Sequence, residues 1–472
     1  MAIQPNPKTL DLADIQGMVT RGYSKLYKTA YFSLAVTEAE SAKKWLSNVL
    51  PEVDSADDHK IQKDRMIHLA FGYQGLKNLG MFEENVDTFP LPFREGISTP
   101  NRNRILGDWG TNAPESWRWG GGNEEEILLI FHAKDDSIME EYLQSYRDSI
   151  VASGGLSIRN EMLGHLRPDN KEPFGFHDGI SQPVIKGCGR KAPELDLIEP
   201  GEFLLGYKNE HGRFPDSPLV KKEQGDTKLL SDDVRNTGLK DIGRNGTFMV
   251  FRQMQQHVDA FWKSMEQHTL NPDGSVNEEA KIRLASKCVG RWPSGASLVN
   301  FPDGDPGGSH TNDDFGYADT DPDGMKCPFG SHLRRNNPRD QVRWYGKKQS
   351  LKVSNRHRII RRGRIYELPA DGAQESEIGL HFICFNANIE LQFEFIQHTW
   401  SNDNQTGELS NDLDVLIGMP EKHNPDQSRG QFTVQNKPVN EYYEGWEQFT
   451  TIKGGAYYFF PSLSTLKYLT TI

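Results

Sequence analysis

The chain lacks several of the features that would assign it a class at once. No apolar run approaches the roughly 18 residues that suggest a membrane span; the densest, 127–131 (ILLIF), is strand-sized. Cysteine is scarce: Cys188, Cys288, Cys327 and Cys384 stand at least 39 residues apart in a chain of 472. That spacing excludes a CxxC metal knuckle and a disulfide framework, and it fits a reducing compartment. Positive charge is also short, with 54 Lys and Arg against 66 Asp and Glu and a net charge of −12. A nucleic-acid binder working by counterion release is therefore not expected, nor is a polybasic membrane surface. The opening MAIQPNPKTLDLADIQG has neither a basic leader nor an apolar h-region, so no signal peptide is predicted and the expected location is the cytoplasm. The sequons at Asn245 and Asn404 carry no weight without secretion. No internal repeat period is visible.

What is present is a folded chain rich in loop, with 44 Gly and 26 Pro. Its length suggests about three domains, or two large ones. Residues 29–36 (TAYFSLAV) read as a strand, and 38–50 carry the helical spacing Ala42, Trp45, Leu46, Val49. A strand at 66–71, a short helix ending near Gly80, a strand at 126–132 and a helix at 137–150 follow. The second half repeats the theme. A strand at 246–252 precedes a helix through Val258, Phe261, Trp262 and Met265, then strands at 358–360 and 379–385 and a helix at 389–400. This predicts an α+β fold of duplicated ferredoxin-like domains, each an antiparallel sheet with helices. The expected division is 1–190, a loop-rich connection or insertion at 191–245, and 246–472. The stretches 199–245 and 302–323 read as open loop.

Three segments could carry chemistry. In FGFHDGISQP (174–183), Asp178 lies between Gly175 and Gly179, residues that let backbone approach something closely. In CPFGSHLRRNNPRD (327–340), His332 precedes Arg334 and Arg335, and RHRIIRRG (356–363) is a strand pattern dense in arginine. Singly, each has a bland reading: a turn or cap, a satisfied histidine, a solvated face. Together they supply what a haem site needs, namely an imidazole for iron, cations for propionates, and an acid/base with a cation to split peroxide.

On these residues the chain resembles the dye-decolorizing peroxidases, through a G-x-x-D-G distal motif at Gly175–Gly179 and H-x-R-x-x-N-P-R at His332–Arg339. The likeness extends to DIQGMVTRGY near the start and NDLDVLIG late in the chain. It implies a peroxidase that reduces hydrogen peroxide and oxidises dyes, phenols and other aromatic donors through a ferryl intermediate. One haem b per chain is expected, held mainly by the C-terminal domain, and the likeness leaves room for a homo-oligomer. By resemblance, His332 is the iron ligand and Asp414 the carboxylate that accepts its N–H. Asp178 is the distal acid/base and Arg361 the distal cation. Arg334 reaches a propionate, Gly175 and Gly179 frame the distal turn, and Leu380 and Phe382 wall the distal pocket. Tyr366 and Trp400 match positions of surface electron-transfer residues.

Alternatives stay open at this point. His177 could be the acid/base, and Arg362 could take the place of Arg361, although period-2 alternation puts only one of that pair in the pocket. DTDPDG (319–324) imitates the start of a calcium loop, but Gly330 stands where its last ligand belongs, and an acidic turn is the plainer reading. A haem-binding or iron-handling protein with incidental peroxidase activity is the rival function, and a twin-arginine leader that would favour an exported one is missing. A cofactor-free ligand-binding or structural protein is the third.

Overall fold

Strands that are apolar on both faces need cover on both faces, and the central strands of this chain are of that kind. The computed structural model describes residues 10–57, 63–122, 124–342, 345–371, 375–405, 409–420 and 430–472; residues 1–9, on which much of the leader reading rests, lie outside them. The first half contributes β1 (Lys28–Val36), β2 (Arg65–Phe71), β3 (Ile127–Ala133) and β4 (Leu156–His165), the second β5 (Thr247–Gln256), β6 (Ile360–Arg361), β7 (Arg364–Leu368), β8 (Glu377–Asn386) and β9 (Thr450–Phe460). The spatial orders are β2-β3-β1-β4 and β9-β5-β8-β7, with β6 also on β8. Every neighbouring pair in this sheet is antiparallel. Numbered within each half, both orders are the ferredoxin-like one. The halves meet through single residue pairs, Phe459 with Phe71 and Ile365 with His165, and these close the strands into a ring.

A second sign of duplication lies in the register. In each half the pairing of first and last strand slips once, at Ser33/Leu34 in β1 and at Gln253/Met254 in β5. Such bulges bend and twist a strand locally.

Inside the ring, Tyr31, Leu128 and Ile130 pack with Met249, Phe251, Ile383, Phe385 and Tyr458. Outside, helices α1 (Ala39–Val49) and α2 (Asp136–Ser153) seal the first sheet with Trp45, Leu46, Val49, Tyr142, Leu143 and Ile150. Glu38 caps α1 by accepting from Glu40 N and Ser41 N, and Asp135 caps α2 at Ile138 N. The second half carries α3 (Val258–Gln267), α4 (Glu278–Val289) and a short helix α5 (His332–Asn336). Its sheet is left partly uncovered beneath the long stretch between α4 and β6.

Several boundaries differ from expectation. The helix at 389–400 is wound wide, as π-helical turns at Glu390–Glu394 and Ile396–Ser401. The strand expected at 358–360 is only Ile360–Arg361, because Arg358 turns inward to Asp196. The 191–245 stretch is mostly loop with a small three-stranded sheet, and it is anchored by Leu204 and Tyr207 in the inner core. No helix among the described residues is long and apolar enough to cross a membrane.

Candidate active site

The uncovered face of the second sheet is the floor of a cavity of about 280 Å³. Arg252 lies opposite Phe382 and Met254 opposite Leu380 across the β5–β8 pairing, so all four share that face. Arg361, opposite Cys384, extends the floor on the other side of β8. The roof comes from His332 and Asn336 of α5, from Leu416 and Ile417, and from Phe393 and Ile396 of the wide-wound helix. The loop that carries Asp178 forms one wall.

On the roof, His332 Nδ1 and Asp414 Oδ2 lie 2.8 Å apart. Asn336, one turn along α5, donates from Nδ2 to the same oxygen at 2.8 Å and to the His332 carbonyl at 3.0 Å. Ser401 Oγ in turn donates to Asn336 Oδ1 at 2.8 Å. The other Asp414 oxygen accepts Leu416 N at 2.9 Å and Ile417 N at 3.1 Å. Burial pushes the Asp414 carboxyl up, but the His332 contact, Arg335 and the backbone bonds outweigh it and hold the group below its usual value. A buried carboxylate at Nδ1 fixes the N–H there, which turns the Nε2 lone pair toward the cavity.

On the wall, the turn is held by Asp178 N to Asn170 O at 2.9 Å. Gly175 (φ 98°) and Gly179 (φ 80°) occupy the left-handed region. A Cβ at either would meet no atom of the described residues within 4 Å, so the glycines serve backbone conformation. Asp178 Oδ1 lies 3.4 Å from Arg361 Nη1. Arg361 is itself tied to the loop, through Nη2 to Ile180 O at 2.8 Å and N to Gln182 Oε1 at 3.0 Å. Arg362 points the opposite way, donating to the Met18 and Val19 carbonyls at 2.9 and 3.0 Å. Leu380, Phe382 and His177 all line the cavity.

Three expectations are corrected. Arg334 does not face the cavity: Nη1 bonds Asp321 Oδ2 at 2.8 Å and Cys327 O at 2.5 Å, Nη2 bonds Asp321 O at 2.8 Å and also reaches Gln341, and Tyr317 and Phe329 sandwich the guanidinium. With its donors spent on this turn, it is not placed to hold a propionate. Asp321 thereby belongs to an acidic turn, its oxygens also taking Lys326 N and Cys327 N. Trp400 and Tyr366 are not surface residues, being 8% and 1% exposed. Trp400 packs on Phe395 and His357, and Tyr366 donates to Glu377 at 2.5 Å and stacks on His381.

Sequence reasoning missed the buried cations beside the site. Arg291 and Arg358 line the cavity. Arg291 and Arg339 both bond Asp313, and Arg358 bonds Asp196 Oδ1 and Ser181 O at 3.0 Å each. Three guanidinium groups thus share two carboxylates, all buried, which leaves a surplus of positive charge. Arg358 lay in the arginine-rich segment and was readable from it; Arg291, in GRWPSG, had no local signal.

No family model matches the chain. Among known proteins, a dye-decolorizing peroxidase of Mycetinis scorodonius is 28% identical over 488 residues, covering 97% of this chain and 87% of that protein. One from Mycena epipterygia is 28% identical, covering 98% and 88%. The multifunctional dye peroxidase of an Amycolatopsis strain is 31% identical over 330 residues, covering 65% and 62%. Among solved structures, an ancestral D-type dye decolorizing peroxidase is similar with a TM-score of 0.76 and 25% identity, covering 98% of this chain and 100% of that one. A second, described as DyP, gives 0.77 and 25%, covering 98% and 99%.

Proposed function

The chain belongs to the dye-decolorizing peroxidase family, a haem peroxidase that reduces hydrogen peroxide and oxidises dyes and phenols, and from that premise we propose how its own residues share the work. The observation that carries the proposal is the facing arrangement of two pairs, His332–Asp414 on the roof and Asp178–Arg361 at the wall, across one cavity.

The donor set suits haem. The His332 imidazole turns its Nε2 lone pair toward a space walled by Leu380, Phe382, Leu416 and Ile417, as a planar apolar macrocycle requires. Arg291 and Arg358, with their surplus charge, suit its carboxylates in place of Arg334. One haem b per chain, ligated by His332, is the assignment these groups support. Bound there, haem supplies an iron centre that accepts two oxidising equivalents from peroxide and passes them on singly.

The protein's own part is proton handling and orientation. Asp178, ionised, takes a proton from the incoming peroxide and as the acid returns it to the leaving oxygen. Arg361, already aimed at Asp178, stabilises negative charge as it develops there. Asp414 holds the His332 tautomer and lends the ring anionic character, and Asn336 fixes the carboxylate in turn. Leu380 and Phe382 keep bulky molecules away from Asp178, so large dyes must be served outside the cavity.

The domain assignment 1–190, 191–245 and 246–472 belongs to the same proposal. The repeated strand order and the matched bulges support it. His332, Arg361 and Asp414 then come from the last unit and Asp178 from the end of the first.

The test is the absorption spectrum of haem-loaded protein before and after one equivalent of peroxide. Rapid spectral conversion is expected; a haem carrier would bind haem and show none. His332→Ala should lose most bound haem, and unchanged haem content would remove His332 from its role.

A further inference from the structure

Glu172 stands six residues before Asp178, at the root of the same loop, and lines the same cavity. Its carboxyl group is used by the loop itself. Oε2 accepts Phe174 N at 3.0 Å and Oε1 accepts Phe176 N at 2.9 Å. The main chain closes the same turn, with Glu172 N to Phe176 O at 2.9 Å and Gly175 N to Glu172 O at 2.8 Å. Asp178 therefore hangs from a turn wrapped around the Glu172 side chain.

The remaining partner comes from the floor. Gln256 Nε2 donates to Glu172 Oε2 at 2.8 Å, while Gln256 Oε1 is buried with no hydrogen-bond partner among the described residues. Turning that amide over would present Oε1 to Glu172, and only a protonated carboxyl could donate to it. The charge that acts on Glu172 is that of Asp178 on its own loop. From β5 it meets the neutral Gln256, and Phe174 and Phe176 separate it from α3 by packing on Phe261.

We propose that Glu172 is a positioning residue for Asp178, and that its contact with Gln256 is a two-state clamp. As carboxylate it receives the amide N–H; as acid it donates to the amide oxygen. Either way the distal turn keeps its shape, while the charge beside Asp178 changes. The proposal rests on the reading of Asp178 as proton carrier.

Burial drives the Glu172 carboxyl up to about 7, with Asp178 adding to the rise and the hydrogen bonds from Gln256, Phe176 and Phe174 opposing it. The coupling runs both ways. With Glu172 ionised, Asp178 has a like charge on its own loop, which favours its taking up a proton from peroxide; with Glu172 protonated, that charge is gone. Wild-type peroxide activation should then show a step near pH 7, higher on the alkaline side. A step of roughly threefold is expected, well inside the usual worth of general acid–base catalysis.

Two variants of the haem-loaded enzyme test this. Glu172→Gln, which keeps the shape without the charge, should be flat through neutrality at the acid-side rate. Glu172→Ala, which removes the core of the turn, should be at least about tenfold slower at every pH, and the amides of Phe174 and Phe176 should lose hydrogen-exchange protection. A haem-free readout is the infrared C=O stretch of a protonated carboxyl. Its Glu172 component, read as the wild-type minus Glu172→Gln difference because burial raises Glu202 to about 7 as well, should titrate near pH 7. A step that persists in Glu172→Gln, or wild-type protection and rate in Glu172→Ala, would overturn the clamp. If Glu172→Ala does not fold, Glu172→Gln decides alone. Should Asp178→Asn leave activation untouched, the proton-carrier reading fails, and the infrared band and amide protection still judge Glu172 separately.

Discussion

Asp178 and its neighbour His177 both line the cavity, so what each side chain can reach decides which of them carries the proton. Asp178 lies 3.4 Å from Arg361, whereas His177 Nδ1 is buried with no hydrogen-bond partner among the described residues. Asp178→Asn should slow peroxide activation by about 10²–10⁴-fold, the usual worth of general acid–base catalysis, and His177→Ala should cost far less. Stopped-flow rates for both variants check this, and the reverse ranking would move the role one residue upstream. Residues set in short motifs were legible: Asp178 between its glycines, His332 before its arginines, Asp414 in DVLIG. Arg334 was not, because its direction depends on Asp321, thirteen residues earlier, and on Gln341. The burial of Trp400 and Tyr366 was equally invisible, since it is set by distant elements packing over them. His381 is a residue of the same kind. Among the described residues neither ring nitrogen has a hydrogen-bond partner, the ring is stacked on Tyr366 and edge-on to Tyr31 and Phe251, and burial pushes its pKa down to about 3. The folded state then binds fewer protons than the unfolded one from about pH 6.5 down to about 3, so stability falls across that window as pH drops. His381→Phe should flatten the acid slope of the melting temperature, by an amount bounded at about 5 kcal/mol, and leave it nearly unchanged at pH 7.5. An unchanged slope would show that His381 is not among the groups that set it.

At the scale of elements, strands with apolar side chains on both faces were the easiest to read, as in β1, β3 and β8. Three were passed over. β7 is only five residues long and ends exposed at Glu367 and Leu368. β4 is half-exposed and mixes charge with apolar residues, and β9 is interrupted by Gly454 and Gly455, where a Cβ at Gly454 would collide with the Trp119 indole. The wide winding at 390–401 has no periodic signature, because the apolar spacing differs little from that of an α-helix. It matters nonetheless, since the end of that helix anchors the roof: the Trp400 carbonyl accepts from Arg335 and the Ser401 carbonyl from Asp414 N at 3.0 Å. β8 offers a sharper test. A Cβ at Gly379 would collide with the Met254 carbonyl and come within 2.8 Å of Gln255 Cα, so Gly379→Ala must push β8 off β5 just where Leu380 and Met254 floor the cavity. A destabilisation of about 1–3 kcal/mol is expected from such overpacking, together with reduced haem retention. Denaturant melts and haem titration measure both, and wild-type values in each would show that the pairing tolerates the methyl group.

The whole molecule is a ring of strands whose inner core draws on both halves, and that limits how far the halves are independent. Residues 246–472 expressed alone should expose Met249, Phe251, Ile383 and Phe385 and be aggregated or molten. Co-expression with 1–245 should restore solubility and haem binding, and a soluble fragment with a well-dispersed NMR spectrum would count against this. Acid should also loosen the whole ring, because burial lowers His68 and His357 to about 4 as well. Their neutral forms favour the fold above about 6.5, and that contribution fades as pH falls toward 4. The matched bulges allow the two halves to be laid over one another residue by residue. Arg252, Phe382, Met254 and Leu380 then correspond to Phe32, Leu129, Leu34 and Ile127, since each set occupies the same pairs relative to its bulge. In the second half these positions floor a cavity; in the first all four side chains are fully buried beneath α1 and α2. The ancestral symmetry has thus been spent unevenly. One copy kept a solid interior as a scaffold, and the other gave up part of its packing to make room. Hollowing out the first half to match would expose four large apolar side chains at about 1.5–3 kcal/mol each. A chain built from two like units therefore has reason to settle at a single reaction centre, and a second is more readily gained by pairing two chains than by opening the other half.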